Sequence, residues 1–124
     1  MKGIICCWSA ASLQGMSGSY SWNWSFYADI STPIRATNAT IFPFPDEHVE
    51  TTAVGKLVVT TPYQTIIDLI RWDCEMEFVF QAMTWWERKH GSLFLLWEGL
   101  SKRGLTKKYE EEYAPFRSDW VDVY

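Results

Sequence analysis

The chain has 124 residues, of which 48% are hydrophobic and 17% aromatic. This composition is far from that of disordered chains, and the length suits one hydrophobic core, so we expect a single domain over residues 1–124. Eleven basic and fifteen acidic side chains give a net charge of −4, which does not indicate a large basic surface for wrapping nucleic acid, so any nucleic-acid role would need a local basic patch.

The first half of the chain is predicted to contain one helix and several short strands. Alanines and a leucine favour a helix over residues 8–14. Aromatic residues at every second position predict a half-buried strand over about residues 22–30. A second run of β character over residues 37–44 and a polar loop or hairpin over residues 46–55 complete this half.

Residues 56–71 change hydrophobic period halfway along and are predicted to form a strand that leads directly into a helix. The β-branched run over residues 57–59 suits a buried strand. Thr61 is a good N-cap, Pro62 fits the first helical position, and Gln64 completes the spacing of a capping box. The apolar face of this helix comprises Tyr63, Ile66, Ile67 and Ile70.

Three further helices are predicted, over residues 73–90, 92–104 and 106–115. The first two begin at capping side chains, Asp73 and Ser92, and both end at glycines. The tail, residues 116–124, is expected to dock as a strand or an arm. Strands therefore precede most helices, which predicts an α+β fold with a small, mostly antiparallel sheet followed by a C-terminal cluster of three to four helices.

The cysteines and the apolar runs indicate the compartment. Cys6, Cys7 and Cys74 are odd in number and two of them are adjacent, which favours reduced thiols. No apolar stretch approaches the roughly 20 residues needed to span a bilayer. We therefore expect a cytoplasmic protein that does not bind a membrane.

The sequence contains few groups suited to catalysis or metal binding. The possible metal ligands near one another in the sequence are Asp46, Glu47, His48 and Glu50. Their spacing matches no zinc or calcium motif, so we expect a solvated loop and no metal or cofactor. Glycine-rich phosphate loops and nucleophile elbows are also absent from the sequence. We therefore do not expect an enzyme.

Two residues remain candidates for chemistry. Asp68 lies on the polar edge of the predicted helix, where a structural hydrogen bond or a pair with Arg71 is expected over a role as general acid or base. Cys74 lies near a helix start, which can activate a thiol, but a small core residue is the expected identity.

One segment of the chain is basic. It contains Lys102, Arg103, Lys107 and Lys108 and is followed directly by three glutamates. The adjacent acids cancel much of the positive field, so a nucleic-acid-binding module that uses these residues together with Arg88 and Lys89 is the alternative rather than the preferred function.

Two segments resemble the AbiEi-type antitoxin family of bacterial abortive-infection, or type IV toxin–antitoxin, systems. Residues 9–16, SAASLQGM, are similar to the family's S-A-L-x-L-H-G-L helix. Residues 59–69, VTTPYQTIIDL, resemble its V-T-S-P-x-R-T-L-L-D-L motif. The resemblance implies a cytosolic, non-enzymatic antitoxin domain that counteracts a nucleotidyltransferase-type toxin or acts in phage defence.

The sequence also departs from the family pattern. Ala11 replaces the leucine of the first motif, Gln14 its histidine, and Gln64 the arginine of the second motif. Family members usually carry a winged-helix DNA-binding domain before the first motif, whereas only eight residues precede Ser9 here. Promoter binding and autoregulation are therefore not expected.

The preferred function is that of an antitoxin-like module that binds a protein partner, either a toxin or a defence enzyme. Trp85 and Trp86 cannot both face the core from one helix stripe, and Trp and Arg are common interface anchors. We expect Trp85, Arg88 and Trp120 to contact the partner. A phage or mobile-element inhibitor of a host defence enzyme would use the same kind of surface.

Overall fold

Strands and helices alternate only at the start of the chain in the computed structural model, which describes residues 3–19, 21–29 and 38–121. The strands are β1 (Gly3–Ile5), β2 (Trp24–Ala28), β3 (Ala39–Phe42), β4 (Thr51–Val54) and β5 (Leu57–Thr60). The helices are α1 (Cys7–Leu13), α2 (Pro62–Arg71), α3 (Met76–His90), α4 (Phe94–Lys102), α5 (Thr106–Glu112) and α6 (Ser118–Val121), with a 3₁₀ turn over Ala114–Phe116. The predicted α+β class is confirmed.

The five strands form one mixed sheet in the order β3-β2-β1-β5-β4. β1 lies at its centre, antiparallel to β2 with Ile5 opposite Phe26, and parallel to β5 with Ile5 opposite Val59. β2 and β3 are also parallel, whereas β4 and β5 form an antiparallel hairpin. The prediction of a mostly antiparallel sheet was therefore wrong. One parallel pairing involves β1, a strand of three residues that the sequence analysis did not predict, and the other joins β2 and β3.

Helix α2 is the most buried element of the described chain, and its start follows the prediction. The Thr61 hydroxyl oxygen accepts the backbone N–H of Gln64 at 3.2 Å, which satisfies one free donor at the helix start. The Gln64 side chain does not complete a capping box, because its carbonyl oxygen accepts the N–H of Glu50 at 3.1 Å. That bond joins the helix to the loop before β4.

Two predicted helix starts need correction. Asp73 does not cap α3, which begins at Met76; it adopts a left-handed conformation, with φ 56°, at the end of α2. The N–H groups of Asp73 and Cys74 bond back to the carbonyls of Ile70 and Leu69, at 3.3 and 2.9 Å, in a Schellman motif. Asp73 therefore ends one helix instead of beginning the next.

Ser92 is likewise not the N-cap residue of the following helix. The N-cap position of α4 belongs to Leu93, while the Ser92 hydroxyl accepts the N–H of Phe94 at 3.0 Å. The predicted end of α3 is confirmed, since Gly91 occupies the C-cap with φ 75°.

In the tail, residues 118–121 form α6 and not a strand. Residues 122–124 lie outside the described residues, as does residue 30 of the predicted strand 22–30.

The two segments that carry the family resemblance lie against each other. The Gln14 side-chain amide donates to the carbonyls of Ala10 and Thr60, both at 3.0 Å, and so joins the end of α1 to the end of β5. The hydroxyls of Thr60 and Thr65 are 2.7 Å apart and join β5 to α2. Both segments therefore contribute packing and hydrogen bonds at one junction.

Helices α2 and α4 approach closely at Gly99. A Cβ added there would overlap the Tyr63 hydroxyl and lie 3.2 Å from Cδ1 of Ile67, so no larger residue fits without movement. No helix in the described ranges has an apolar stretch long enough to cross a membrane.

Candidate partner-binding site

An open groove of about 790 Å³ lies between one face of α3 and the loop that follows α1; we call it the α3 groove. From the loop it is lined by Gly15, Met16, Gly18 and Ser19, and from α3 by Glu77, Gln81, Thr84, Trp85, Arg88 and Lys89. The α3 residues recur at helical spacing and therefore share a face. The volume is within the range of small-ligand and peptide pockets.

The side chain of Gln81 holds the loop wall of the groove in place. Its carbonyl oxygen accepts the Ser17 hydroxyl at 2.6 Å and the Gly18 N–H at 2.9 Å, while its amide nitrogen donates to the Ser19 hydroxyl at 2.7 Å. Because Gln81 and Ser17 are buried, the bond between them is shielded from water, whereas the bonds to Gly18 and Ser19 are partly buried. The loop wall of the groove is therefore preformed in the free chain. The sequence analysis did not identify Gln81, which lies on the mostly polar face of α3.

Trp85 and Trp86 face in different directions, as their adjacency requires. Trp86 is buried, and its ring stacks on His90 with centroids 3.9 Å apart. Trp85 is half-buried and lines the α3 groove, with Nζ of Lys89 5.2 Å from its ring centroid. This distance is within the range of a cation–π contact, which holds the lysine beside the ring. Arg88 is exposed and also lines the groove.

Trp120, the third predicted contact residue, belongs to a different part of the surface. It is partly buried in α6, and its ring centroid is 6.2 Å from that of Phe80 on α3. Trp120 does not line the α3 groove. The structure therefore brings together Trp85 and Arg88 of the predicted set and separates Trp120 from them.

The basic residues of the nucleic-acid alternative are mostly paired with carboxylates. The N–O distances are 3.5 Å for Lys102 and Glu98, 3.1 Å for Arg103 and Glu47, 3.9 Å for Lys107 and Glu111, and 2.9 Å for Lys108 and Asp73. Exposed pairs of this kind contribute little stability, but they cancel the local field that would attract phosphates. Lys89 differs, since it has no carboxylate partner within the described residues.

Glu47 belongs to an ion-pair cluster. Its carboxylate contacts the guanidinium groups of Arg71 and Arg103. Desolvation alone would raise the pKa of Glu47, but the two arginines outweigh it and lower the pKa below its usual value. No group of three or more His, Cys, Asp and Glu side chains in the described ranges is arranged to hold a metal ion.

Asp68 is fully buried within α2. Its Oδ1 accepts the side-chain amide of Gln64 at 3.1 Å and lies 3.7 Å from Nε of Arg71. Burial raises the pKa of Asp68 to about 6, an effect that Tyr27, Arg71 and Gln64 oppose. The carboxyl is 0% exposed, so an external substrate cannot reach it for proton transfer. This arrangement suits the structural role that the sequence favoured.

The three cysteines are free thiols in the core. Burial raises the pKa values of Cys6 and Cys7, while a hydrogen bond that Cys74 donates to Cys7, followed by burial, raises the pKa of Cys74. The thiolate is the reactive form of cysteine, so these raised values make the thiols poor nucleophiles at neutral pH. Cys74 therefore acts as a small core residue and not as an activated nucleophile.

Large apolar side chains are exposed at positions that the sequence analysis did not single out. Trp22 is 80% exposed and Phe94, at the start of α4, is 65% exposed. Trp24 and Leu95, which are close to them in sequence, are also exposed, and none of these four residues lines the α3 groove. Exposed hydrophobic residues are common on folded proteins. They do not change the choice of candidate site.

No protein-family model and no curated protein matches the chain.

Proposed function

We propose that this chain is a non-enzymatic protein-binding module, similar to the antitoxin domain of type IV toxin–antitoxin systems. It binds its partner in the cytoplasm through the α3 groove, and so counteracts a nucleotidyltransferase-type toxin or acts in phage defence. The observation that carries the proposal is the position of Trp85 and Arg88 together along one groove.

Three features of the groove suit a protein partner. Trp85 supplies apolar area beside a charged rim, which is the arrangement typical of interface anchors. The Gln81 bonds fix the loop wall, so binding does not require that loop to become ordered first. The third feature is size, since α3 rises about 18 Å between Glu77 and Lys89, enough for a short segment of a partner.

The alternatives are supported less well. A nucleic-acid-binding module needs several unneutralised cations along one surface, whereas Lys102, Arg103, Lys107 and Lys108 are paired with acids. An enzyme needs an accessible nucleophile or base, whereas the two residues that the sequence suggested for chemistry, Asp68 and Cys74, are buried. A phage or mobile-element inhibitor of a host defence enzyme uses the same binding mechanism, and the identity of the partner distinguishes it.

Photo-crosslinking in the native host tests the proposal. The crosslinking residue p-benzoylphenylalanine replaces Glu77 at the groove rim, and in a control protein it replaces the exposed Lys107 on α5. We expect the groove position, and not the control, to capture one protein. If both positions give the same captured proteins, or neither gives any, the proposed function is wrong.

The captured protein is then purified and assayed. We expect Trp85→Ala to weaken its binding by about tenfold or more, because truncating a central aromatic anchor commonly costs that much. Expressed alone, the partner should arrest growth, and co-expression of this chain should restore it. A partner that has no effect on growth would refute the antitoxin role.

A further inference from the structure

We infer that the ligand of the α3 groove is a short acidic segment of a partner protein, bound in an extended conformation with its carboxylates at the Arg88 and Lys89 end. This inference rests on the proposed function and names the chemistry of the partner that the groove selects.

Charge is distributed unevenly along the groove. Arg88 and Lys89 lie at the C-terminal end of α3, whereas Glu77, the one acidic side chain among the described residues that line the groove, lies at the other end. The cationic end therefore attracts carboxylates, and the Glu77 end disfavours them. An acidic segment has one preferred direction in such a groove.

Lys89 is positioned to bind an anion from outside the chain. It lacks a carboxylate partner within the described residues, and its ammonium group is held over the Trp85 ring, 5.2 Å from the centroid. A cation beside an aromatic ring loses less conformational freedom when it binds an anion than a freely rotating lysine does. Lys108, in contrast, already contacts a carboxylate of the chain, that of Asp73.

The dimensions of the groove favour a short extended segment. Since the lining face of α3 is about 18 Å long and an extended chain rises about 3.3 Å per residue, the groove accommodates about five residues. The apolar part of the groove, formed by Met16 and Trp85, suits one hydrophobic side chain among the acids. A nucleic acid would need phosphate contacts along the whole groove, including beside Glu77.

Nuclear magnetic resonance of the full-length, ¹⁵N-labelled chain provides the test. The probe is an eight-residue peptide with four glutamates and two leucines, titrated at low salt. We expect saturable shifts of the Trp85 indole N–H and of the backbone N–H groups of Gly18 and Ser19, which line the groove. The same peptide with glutamines in place of the glutamates is expected to give no saturable shifts.

Two matched substitutions test whether the acidic peptide binds at the Lys89 end of the groove. Lys89→Gln should weaken binding of the acidic peptide by about fivefold, the effect of removing one exposed ion pair. Lys107→Gln makes the same change of net charge on α5, away from the groove, and should leave the affinity within about twofold. Equal effects of the two substitutions would overturn the inference, because attraction would then follow net charge alone.

Other results would also overturn it. Shifts at Trp85 that are stronger with an oligothymidine of eight nucleotides than with the acidic peptide would assign the groove to nucleic acid. Self-association that Lys89→Gln abolishes would assign it to a second copy of this chain. If crosslinking from Glu77 captures a protein but the acidic peptide causes no shifts, the proposed function stands and the acidic-segment inference fails.

Discussion

The buried carboxyl of Asp68 makes stability depend on pH in a direction opposite to the usual acid destabilisation. Its pKa rises from 3.8 to about 6 on folding, because burial disfavours the charged form. Between these two values the folded chain binds a proton that the unfolded chain does not. Stability therefore increases as pH falls from 7 towards 4, and this contribution is lost as pH rises through 6.

The size of the effect follows from the shift. One pKa unit corresponds to 1.36 kcal/mol, so burying the charged carboxyl costs about 3 kcal/mol at neutral pH. Between pH 7 and pH 5, where the folded carboxyl becomes protonated, the free energy of unfolding should rise by about 1 kcal/mol from this group alone. Glu47 contributes in the opposite direction mainly near and below its ordinary pKa of 4.5, so its effect is small over most of this range.

Urea unfolding of the wild type and of Asp68→Asn, followed by tryptophan fluorescence from pH 5 to pH 8, measures this contribution. The asparagine keeps an oxygen that can accept the Gln64 amide but cannot titrate. Subtracting the two free energies at each pH cancels the other titrating groups. If the difference is constant from pH 7 to pH 5, then Asp68 has an ordinary pKa and the reasoning is wrong.

Three further substitutions test the packing described above. Gly99→Ala should destabilise the fold by about 1–3 kcal/mol, because the new methyl overlaps the Tyr63 hydroxyl; urea unfolding measures the loss, and adding Tyr63→Phe should restore part of it. Thr61→Ala should lower the free energy of unfolding by about 1 kcal/mol by removing the cap of α2, and an unchanged urea midpoint would contradict this role. Gln81→Ala should accelerate hydrogen exchange at Gly18, because the loop wall loses its bonds, whereas exchange in β5 should stay slow.

Features set by neighbouring residues could be predicted from the sequence. The start of α2 is an example, since Thr61 and Pro62 act through bonds and dihedral angles within one turn. The division of Trp85 and Trp86 between surface and core follows from helical spacing alone. These predictions require no knowledge of distant contacts.

Features set by distant contacts could not be predicted in this way. β1 is a strand only because β2 and β5 pair with it on either side. Aspartate is a common N-cap residue, but Asp73 adopts a left-handed conformation after the end of α2 and forms an ion pair with Lys108. The groove was missed for the same reason, since Gln81 gains its role from a loop about 60 residues earlier in the chain.

The central position of β1 also determines when the sheet can form during synthesis. Ile5 is made long before Val59, the residue opposite it in the parallel pair, so one edge of β1 stays without its final neighbour until β5 has emerged. Pairing over such a sequence distance is slow because a long loop must close first. Until then the hydrophobic face of α1 and the free edge of β1 are available to other chains, and crowded synthesis would favour aggregation at this stage.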